Sequence, residues 1–392
     1  MTIKNIIVLG MYPYPWHSDE ISDTMRSMTK AFEGYKRLFI NPSVGFRRAS
    51  QEGYGFRTDW ECKEDQGVLV CTPPLEVIPS SFGLGNMKKS WILKRFNDLV
   101  ERELGANWRE ETLIYLSSGG ITQSYDAAVT LKPKWLILDI LDDNLGFPGI
   151  QEDERALLEN EFQVLLNQAT LITAVSEHLV NKTQKEYSIP VEWLPNGVDV
   201  EQFRYRSEYA TPLEELEDFR KPLFGFVGAL TSWIDFELLL KIADHPKTGT
   251  LVLVGPLIEG AVPADLLNRM KDHPKIQFPG AKPYGEVPHL LHQFNVLLLP
   301  RNYQPHSLAS DPLKLYEYMA TGKPIVSTAL PSALRFGDTI FVGSNHQEFL
   351  SLLERAEEEW SEQKAAKEIA LSESLSWKNR AQKLIGLFEN RR

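Results

Sequence analysis

The sequence contains few cysteines and no long uncharged apolar run. Cys62 and Cys71 are the only cysteines among 392 residues, too few for a structural metal site or a disulfide framework. The first apolar run, 6–9, is too short for a signal peptide, and no uncharged run is long enough to span a bilayer. We therefore predict a cytoplasmic protein whose two thiols stay reduced.

Positive charge is also scarce. The chain has 42 Lys and Arg against 53 Asp and Glu, a net charge of −11, which argues against nucleic acid as a partner. Residues 77–97 are the exception, because they hold no carboxylate and include Lys88 and Lys89. They predict a basic amphipathic helix, which either docks on anionic lipid or a lipid-diphosphate or is a packed helix with solvated cations.

The dinucleotide fingerprint Gly-x-Gly-x-x-Gly is missing as well. Gly10 follows the first apolar run, but no glycine follows it at the required spacing, which argues against a dehydrogenase. The loop after Gly10 is aromatic and holds Trp16 and His17. This loop either lines a binding pocket or is a packed, proline-stiffened connection.

Short apolar runs alternate with longer amphipathic segments along the whole chain. This pattern, in a chain too long for one core, predicts an α/β protein with two doubly wound, mostly parallel sheets joined near 195–197. Helices are predicted at 88–104, 152–168 and 177–187. Strands are predicted at 6–9, 37–40, 68–71, 113–116, 135–138, 171–174, 223–227, 250–254, 276–278, 295–299 and 324–327.

The segment 310–326 carries the strongest functional signal. Pro312 fits the first turn of a helix, which Gly322 ends. Lys314 and Glu317 then project from one side near the helix N-terminus. A helix N-terminus with a fixed cation suits a diphosphate, and a carboxylate one turn on suits the two hydroxyls of a ribose. The alternative is an ordinary Lys–Glu surface pair.

Other candidates lie where strands of the second half end, since open α/β sheets bind ligands there. Gly228 either admits a phosphate to the backbone or makes a plain turn. Tyr284 either stacks on a nucleobase or packs its loop. Arg301 is a second cation for phosphates, and Ser310 either binds phosphate or caps the helix that follows.

Carboxylates cluster after the strand at 135–138. Packed carboxylates raise one another's pKa, which suits a general base. Asp139, at the end of the strand, is predicted to be buried and structural. Asp142 and Asp143 are the candidate bases, unless they serve a helix cap or a solvated loop. Their spacing is not Asp-x-Asp, so no metal is predicted.

The 310–326 segment resembles the donor site of GT-B glycosyltransferases. Many of these have Glu-x7-Glu before Ala-x-Gly-x-Pro; Glu317 matches the second glutamate, whereas Ala309 occupies the position of the first. The closer resemblance is to bacterial surface-polysaccharide transferases, including the teichuronic-acid type, with Pro-x-Lys-x-x-Glu-Tyr-x-Ala-x-Gly-Lys-Pro. Two further matching segments are Trp193-Leu-Pro-Asn-Gly-Val-Asp199-Val-Glu-Gln-Phe203 and Phe278-Pro-Gly280-Ala-Lys-Pro-Tyr284-Gly-Glu-Val-Pro288.

The resemblance implies two Rossmann-like domains facing a cleft: an acceptor domain, 1–195, and a nucleotide-sugar domain, 196–375, with a crossover helix, 376–392, packing back on the first. It implies a nucleoside-diphosphate sugar donor, UDP most of all, and neither cofactor nor metal. Relatives carry Arg and Lys after the glycine equivalent to Gly228; this chain has neither there, so Lys314 becomes the main diphosphate cation.

On the acceptor side, the resemblance implies a glycan or a lipid-linked acceptor, with peripheral contact to the inner face of the membrane. Trp16, His17, Lys88 and Lys89 are the acceptor-side residues, and Gly10 belongs with the donor. The choice between retention and inversion stays open. Two rivals also stay open: a GT-B sugar-nucleotide epimerase, and an inactive GT-B subunit that binds a partner enzyme.

Overall fold

The computed structural model describes residues 2–10, 16–17, 23–42, 59–74, 85–147, 150–258 and 260–391, with side chains omitted for 85–93. The chain divides into two compact units. Unit 1 holds the described residues up to Pro195 and those from Arg380 onward. Unit 2 is Asn196–Asn379.

Unit 1 is built on a sheet whose inner strands are mostly apolar and buried. Its strands are β1 (Asn5–Leu9), β2 (Lys36–Ile40), β3 (Glu61–Asp65), β4 (Val68–Thr72), β5 (Thr112–Ser117), β6 (Trp135–Ile140), β7 (Leu171–Ala174) and β8 (Glu192–Trp193). Their order is β3-β4-β2-β1-β5-β6-β7-β8, and every neighbouring pair is parallel except β3 with β4. The helices before unit 2 are α1 (Thr24–Ala31), α2 (Gly85–Leu104), α3 (Trp108–Glu111), α4 (Ile121–Leu131), α5 (Glu152–Gln168) and α6 (Glu177–Tyr187).

Unit 2 has a parallel sheet of the same kind. Its strands are β9 (Leu223–Val227), β10 (Thr250–Val254), β11 (Ile276–Gly280), β12 (Val296–Leu299), β13 (Ile325–Thr328) and β14 (Phe341–Gly343). Their order is β11-β10-β9-β12-β13-β14. The helices are α7 (Val200–Phe203), α8 (Glu214–Glu217), α9 (Phe236–Asp244), α10 (Ala264–Lys271), α11 (Val287–Gln293), α12 (Pro305–Ala309), α13 (Leu313–Thr321), α14 (Pro331–Leu334), α15 (His346–Glu358) and α16 (Glu362–Ser374). The last helix, α17 (Trp377–Arg391), begins in unit 2 and belongs to unit 1 from Arg380 onward.

Both faces of the unit 2 sheet are buried. Leu251 and Leu253 of β10 join one apolar cluster, whereas Val252 and Val254 join the other. Because side chains alternate along a strand, these clusters cover opposite faces of the sheet. A strand buried on both faces needs a continuous apolar run, which is why such runs in the sequence mark these strands.

The strand order places a ligand site in each unit. Counted along the chain, the parallel strands have the order 3-2-1-4-5-6-7 in unit 1, with the antiparallel β3 left out, and 3-2-1-4-5-6 in unit 2. In both, the direction of winding reverses between the first strand and the fourth. Ligands bind at the carboxyl ends of the strands at such a switch point. In unit 1 the switch point lies between β1 and β5, and in unit 2 between β9 and β12.

The predicted strands and the three predicted helices are all present. The sequence missed β3, β8 and β14. β3 has the sequence Glu-Cys-Lys-Glu-Asp and pairs antiparallel with β4 at the sheet edge, so it needs no apolar run. β8 and β14 have only two and three residues, too short for a periodic pattern.

Candidate functional site

Glycines end three neighbouring strands of unit 2. Gly228 follows β9, Gly255 follows β10 and Gly280 ends β11, with φ angles of +143°, +139° and +83°. Gly228 donates its N–H to the carbonyl oxygen of Val254 at 2.8 Å, and Gly255 donates to that of Gly280 at 2.9 Å. A Cβ on Gly255 would lie 2.2 Å from the Gly228 oxygen. The strand ends therefore require glycine and leave the backbone bare at this edge.

The ammonium group of Lys314 lies directly against Gly228. A Cβ on Gly228 would be 2.4 Å from Lys314 Nζ, so any other residue here would displace the ammonium group. Nζ also lies 5.1 Å from the centroid of the Phe226 ring. Within the described part of the chain, Lys314 has no hydrogen bond or ion pair. Burial, helped by the charge of Arg301 and opposed by Glu317, lowers the pKa of Lys314 to about 8. Such a cation is set up to receive an anion.

Helix α13 holds Lys314 in that position. The hydroxyl of Tyr318 accepts the N–H of Val227 at 2.9 Å, which fixes the helix to the end of β9. The helix ends at Gly322, with a φ of +67°. A Cβ there would lie 2.9 Å from Ile369 of α16, so glycine serves both the cap and the close approach of α16.

Glu317 lies on the same helix and is nearly buried, with 8% of its surface exposed. The hydroxyl of Tyr284 donates to Glu317 Oε1 at 2.7 Å, and the Tyr284 ring packs edge-on against Phe203, with centroids 5.9 Å apart. Tyr284 therefore packs its loop, as one of the two alternatives expected, and also orients the carboxylate. Its stacking on a nucleobase stays a prediction.

Arg301 follows β12 and so lies at the switch point. It is buried, and donates from Nε to Ser307 Oγ at 3.3 Å and from Nη2 to Ser310 Oγ at 2.8 Å. Its guanidinium carbon lies 5.2 Å from the centroid of the Trp233 ring. The capping alternative for Ser310 is wrong: Pro312 is the N-cap of α13, and no side chain caps the helix.

Asp311 is a buried anchor that the sequence analysis did not single out. Its carboxylate accepts from the Tyr316 hydroxyl at 2.7 Å, from Arg335 Nη2 at 2.8 Å and from the backbone N–H of Asn196 at 2.8 Å. The Asn196 side chain donates in turn to the Asp311 carbonyl at 2.7 Å. These bonds join the first residue of unit 2 to the start of α13. Both residues lie in the segments that carry the resemblance, but nothing in the sequence pairs them.

At the switch point of unit 1, the candidate residues Gly10 and Trp16 are in contact with other side chains of the protein. A Cβ on Gly10 would lie 2.5 Å from Cζ of Phe39, so the ring covers this glycine. Trp16 is buried and donates from Nε1 to Asp65 at 2.7 Å, whereas His17 is exposed. The contacts of Trp16 and Gly10 agree with the packed connection, one of the two alternatives that the sequence analysis left open. Their roles in binding, and that of His17, stay predictions.

Lys88 and Lys89 lie in α2, but their side chains are outside the described residues. In the parts of the chain that the structure covers, no helix combines the length and the apolar character needed to cross a bilayer.

Asp139 is fully buried at the end of β6. It accepts hydrogen bonds from the Tyr115 hydroxyl, from Thr173 Oγ1 at 2.7 Å and from Arg380 Nη2 at 2.7 Å. The guanidinium of Arg380 also donates to the Pro195 carbonyl at 2.8 Å. Although its own burial opposes the charge, Asp139 and Tyr115 raise the pKa of Arg380. This ion pair attaches α17 to the sheet of unit 1.

Asp143 has a cation of its own. Lys182 Nζ lies 2.7 Å from both Asp143 oxygens, whereas Asp142 is exposed. Both carboxylates line a small pocket with Lys182 and Tyr187. Asp139 and Asp143 each face a cation, so the carboxylates are not left as an uncompensated cluster. The role of Asp142 or Asp143 as a general base stays a prediction. Of the two candidate bases, Asp142 is the more exposed, and Asp143 is bound by Lys182.

The fold is confirmed by solved structures. HepE of Anabaena, in complex with UDP, aligns over 98% of this chain and 100% of its own with a TM-score of 0.67 at 17% identity. Sucrose-phosphate synthase of Thermosynechococcus elongatus aligns over 99% of this chain and 98% of its own, with a TM-score of 0.67 at 15% identity. The chain thus has the GT-B fold, with two Rossmann-like domains, as predicted.

The sequence relationship is more specific and covers less of the chain. Residues 221–357 match the family described as "Glycosyl transferases group 1". A Bacillus subtilis (strain 168) protein named "Putative teichuronic acid biosynthesis glycosyltransferase TuaH" is 28% identical over 187 residues, which are 47% of this chain and 46% of TuaH. The match thus spans about half the length of that relative. Residues 221–357 of unit 2 are therefore similar to the glycosyl transferases group 1 family, and the resemblance inferred from the sequence is confirmed.

Proposed function

We propose that this protein is a glycosyltransferase that takes a sugar from a nucleoside-diphosphate sugar and transfers it to a glycan or a lipid-linked acceptor. The observation that carries the proposal is the Lys314 ammonium, which lies against bare Gly228 at the switch point of unit 2 and has no hydrogen-bond or ion-pair partner among the described residues. A half-buried cation without an ion-pair partner costs stability, so a fold that retains one is adapted to bind an anion.

The donor is proposed to lie along the strand ends of unit 2. The diphosphate contacts Lys314 and the backbone at Gly228, and Arg301 adds a second positive charge nearby. Glu317, oriented by Tyr284 at 2.7 Å, accepts the ribose hydroxyls. Charge-assisted bonds of these kinds are the strong ones in nucleotide recognition.

The relatives support UDP as the nucleotide and a polysaccharide as the product. HepE structures are described as complexes with UDP, with UDP and glucose, and with UDP-glucose. TuaH is named for teichuronic acid biosynthesis. We therefore favour a UDP-sugar as donor and a growing surface glycan, or its lipid-linked form, as acceptor, bound by unit 1 with peripheral membrane contact through the α2 region.

In the proposed reaction an acceptor hydroxyl attacks the anomeric carbon, and the bond from that carbon to the diphosphate oxygen breaks. Negative charge develops on the leaving diphosphate, where Lys314 and the N-terminus of α13 stabilise it. The hydroxyl proton goes to Asp142 in an inverting reaction or to the leaving phosphate in a retaining one. No metal is needed for either route, because the lysine and the helix terminus supply the positive charge.

A thermal-shift panel of UDP, GDP, ADP, CMP and dTDP tests the donor class, since a ligand that binds only the folded state raises its stability. We expect the largest shift with UDP. Incubation with UDP-sugars and acceptor extracts should then release UDP only when acceptor is present, with or without EDTA. Interconversion of the UDP-sugar without acceptor would instead identify the epimerase, and binding without turnover the inactive subunit.

Asparagine variants of the two candidate bases test the proton route. If Asp142 is the base, Asp142→Asn lowers kcat by about 10²–10⁴-fold and leaves UDP binding unchanged. Asp143→Asn is the matched control, because Lys182 already holds Asp143. Near-normal kcat in both variants, with retained configuration by NMR, would establish the retaining route.

A further inference from the structure

The two cysteines of the chain face each other. Cys62 of β3 and Cys71 of β4 are directly paired across the antiparallel hairpin. They are the only cysteines among 392 residues, so a chance pairing of this kind is rare. No residue of the proposed donor site takes part in this pair.

The register of the hairpin decides how close the two thiols are. Gln66 and Gly67 form a two-residue turn with φ angles of 49° and 72°, and Asp65 and Val68 flank it. The flanking pair of such a turn is hydrogen-bonded, and pairs alternate from there. Cys62 and Cys71 therefore form a pair without hydrogen bonds, in which side chains approach most closely.

The spacing suits a disulfide. The Cα atoms of such a pair lie about 4.5 Å apart, within the range of about 4.4–6.8 Å that disulfides span. Because the residues are directly opposed, both side chains lie on the same face of the hairpin. No movement of the backbone beyond a local adjustment is required.

The surroundings give the two thiols different roles. Cys71 is fully buried, whereas Cys62 is partly exposed. The Cys71 thiol beside it lowers the pKa of Cys62, against the effects of burial and of Glu103, and Arg102 adds to the lowering. The pKa of Cys71 is raised by its interaction with Cys62 and by burial. Cys62 is thus the accessible attacking thiol, and Cys71 the one that resolves the intermediate.

We propose that Cys62 and Cys71 are a redox modification site that forms a reversible intramolecular disulfide with a small-molecule disulfide such as oxidised glutathione. The Cys62 thiolate attacks one glutathione sulfur, the glutathione S–S bond breaks, and one glutathione thiolate leaves. Cys71 gives its proton to solvent and attacks the Cys62 sulfur, which releases the second glutathione. Two protein thiols and one oxidised glutathione become one protein disulfide and two reduced glutathiones.

The disulfide would fix an edge of the unit 1 sheet. β3 is the outermost strand in the sheet order, and Asp65 at its end accepts the Nε1–H of Trp16 at 2.7 Å. Oxidation therefore stiffens the hairpin to which Trp16 is hydrogen-bonded. One sulfur is partly exposed, which leaves the bond open to reduction.

The test equilibrates the full-length protein in glutathione buffers poised from about −180 to −320 mV, followed by alkylation and intact mass analysis. We expect both thiols to be lost together at the oxidising end, in a monomer two hydrogens lighter, and recovered with dithiothreitol. Hydrogen exchange of the β3 and β4 amides should slow in the oxidised form.

Single-thiol variants provide the controls. Cys71→Ser, or Cys71→Ala if serine unfolds the protein, should carry one glutathione on Cys62, whereas Cys62→Ser should stay unmodified because Cys71 is buried. The proposal is overturned if wild-type protein keeps both thiols at every poise, carries glutathione on Cys62 without closing, or forms disulfides only between molecules.

Discussion

The two units have the same strand order but treat charge at their strand ends in opposite ways. In unit 1, Arg380 neutralises Asp139 and Lys182 neutralises Asp143, both at 2.7 Å. In unit 2, Lys314 lies against Gly228, and burial lowers the pKa of Lys314 to about 8. The fold alone does not make a site. At the strand ends of unit 1 the charges pair within the protein, whereas at those of unit 2 the Lys314 cation has no ion pair among the described residues and is the one proposed to bind a ligand.

This contrast predicts that removing a cation from unit 1 and removing one from unit 2 change the stability of the protein in opposite directions. A cation that pairs with a buried carboxylate stabilises the fold, because its loss leaves an uncompensated charge. A half-buried cation without a counterion destabilises the ligand-free fold, so its loss should stabilise it. Both outcomes can be measured in the same chain.

The largest effect is expected at the Asp139–Arg380 pair. Arg380→Met leaves Asp139 buried without its cation and should cost about 3–5 kcal/mol in unit 1. The measurement is native-state hydrogen exchange of β5 to β7 amides, which isolates unit 1 from unit 2. Lys4→Met, which breaks the exposed Lys4–Glu111 pair at 2.7 Å, is the matched control and should cost less than about 1 kcal/mol. Unchanged protection in Arg380→Met would mean that the buried pair contributes nothing.

Lys314→Met should have two effects of opposite sign. It removes the charge-assisted contact to the diphosphate, and UDP affinity should fall by about 2–3 kcal/mol, measured by isothermal titration. It also removes the cost of a poorly solvated charge, so the ligand-free variant should be more stable at pH 7, by about 1 kcal/mol after allowance for its partial exposure. A variant that loses both affinity and stability would show that Lys314 serves the fold instead.

Features that depend on residues close together in sequence could be predicted. Contacts between residues far apart in sequence could not. The order of apolar runs reveals the strands, and the place where each run ends reveals Gly228 and Arg301. Lys314 and Glu317 share one helix, so their spacing alone puts them on one face. The short segment from Pro312 to Gly322 thus contains most of the proposed donor site.

Contacts between residues far apart in the chain could not be predicted from the sequence. Asp139 pairs with a residue 241 positions away, and Asn196 with one 115 positions away. Because those partners could not be predicted, the sequence analysis grouped Asp139 with Asp142 and Asp143 as one cluster. In the structure, Asp139 and Asp143 are each paired with a different cation. The Cys62–Cys71 pairing was hidden for a similar reason, since the charged strand β3 has no apolar signal.

The pH dependence of UDP binding tests whether Lys314 of unit 2 is the cation that contacts the diphosphate. With a pKa of about 8, Lys314 of the ligand-free protein loses its proton between pH 7 and 9, so UDP affinity should fall about tenfold over that range. The phosphate of UDP, with a second pKa near 6, stays ionised throughout. Lys314→Arg keeps its charge and should bind UDP with little pH dependence.

The same titration also predicts proton uptake and a stability change. At pH 8.5, UDP binding should take up protons, seen as a binding enthalpy that varies with the ionisation enthalpy of the buffer. Because the pKa of Lys314 is lower in the folded state than in the unfolded chain, its contribution to ligand-free stability should rise from about pH 8 to 10.5. A flat affinity profile in wild-type protein would place the diphosphate away from Lys314.

The smallest effect is expected at the ribose. Glu317→Gln replaces a charged acceptor with a neutral one, so UDP should bind about fivefold more weakly, and 2′-deoxy-UDP, which has already lost one of the two hydroxyls, should lose less. Tyr284→Phe removes the hydroxyl that donates to Glu317 at 2.7 Å but keeps the ring against Phe203, so it should reduce the same discrimination without removing a ligand contact. Isothermal titration of both nucleotides against wild type and both variants gives the coupling between the carboxylate and the 2′-hydroxyl. Equal losses for the two nucleotides in Glu317→Gln would move the ribose elsewhere, and would leave Lys314 as the only supported element of the donor site.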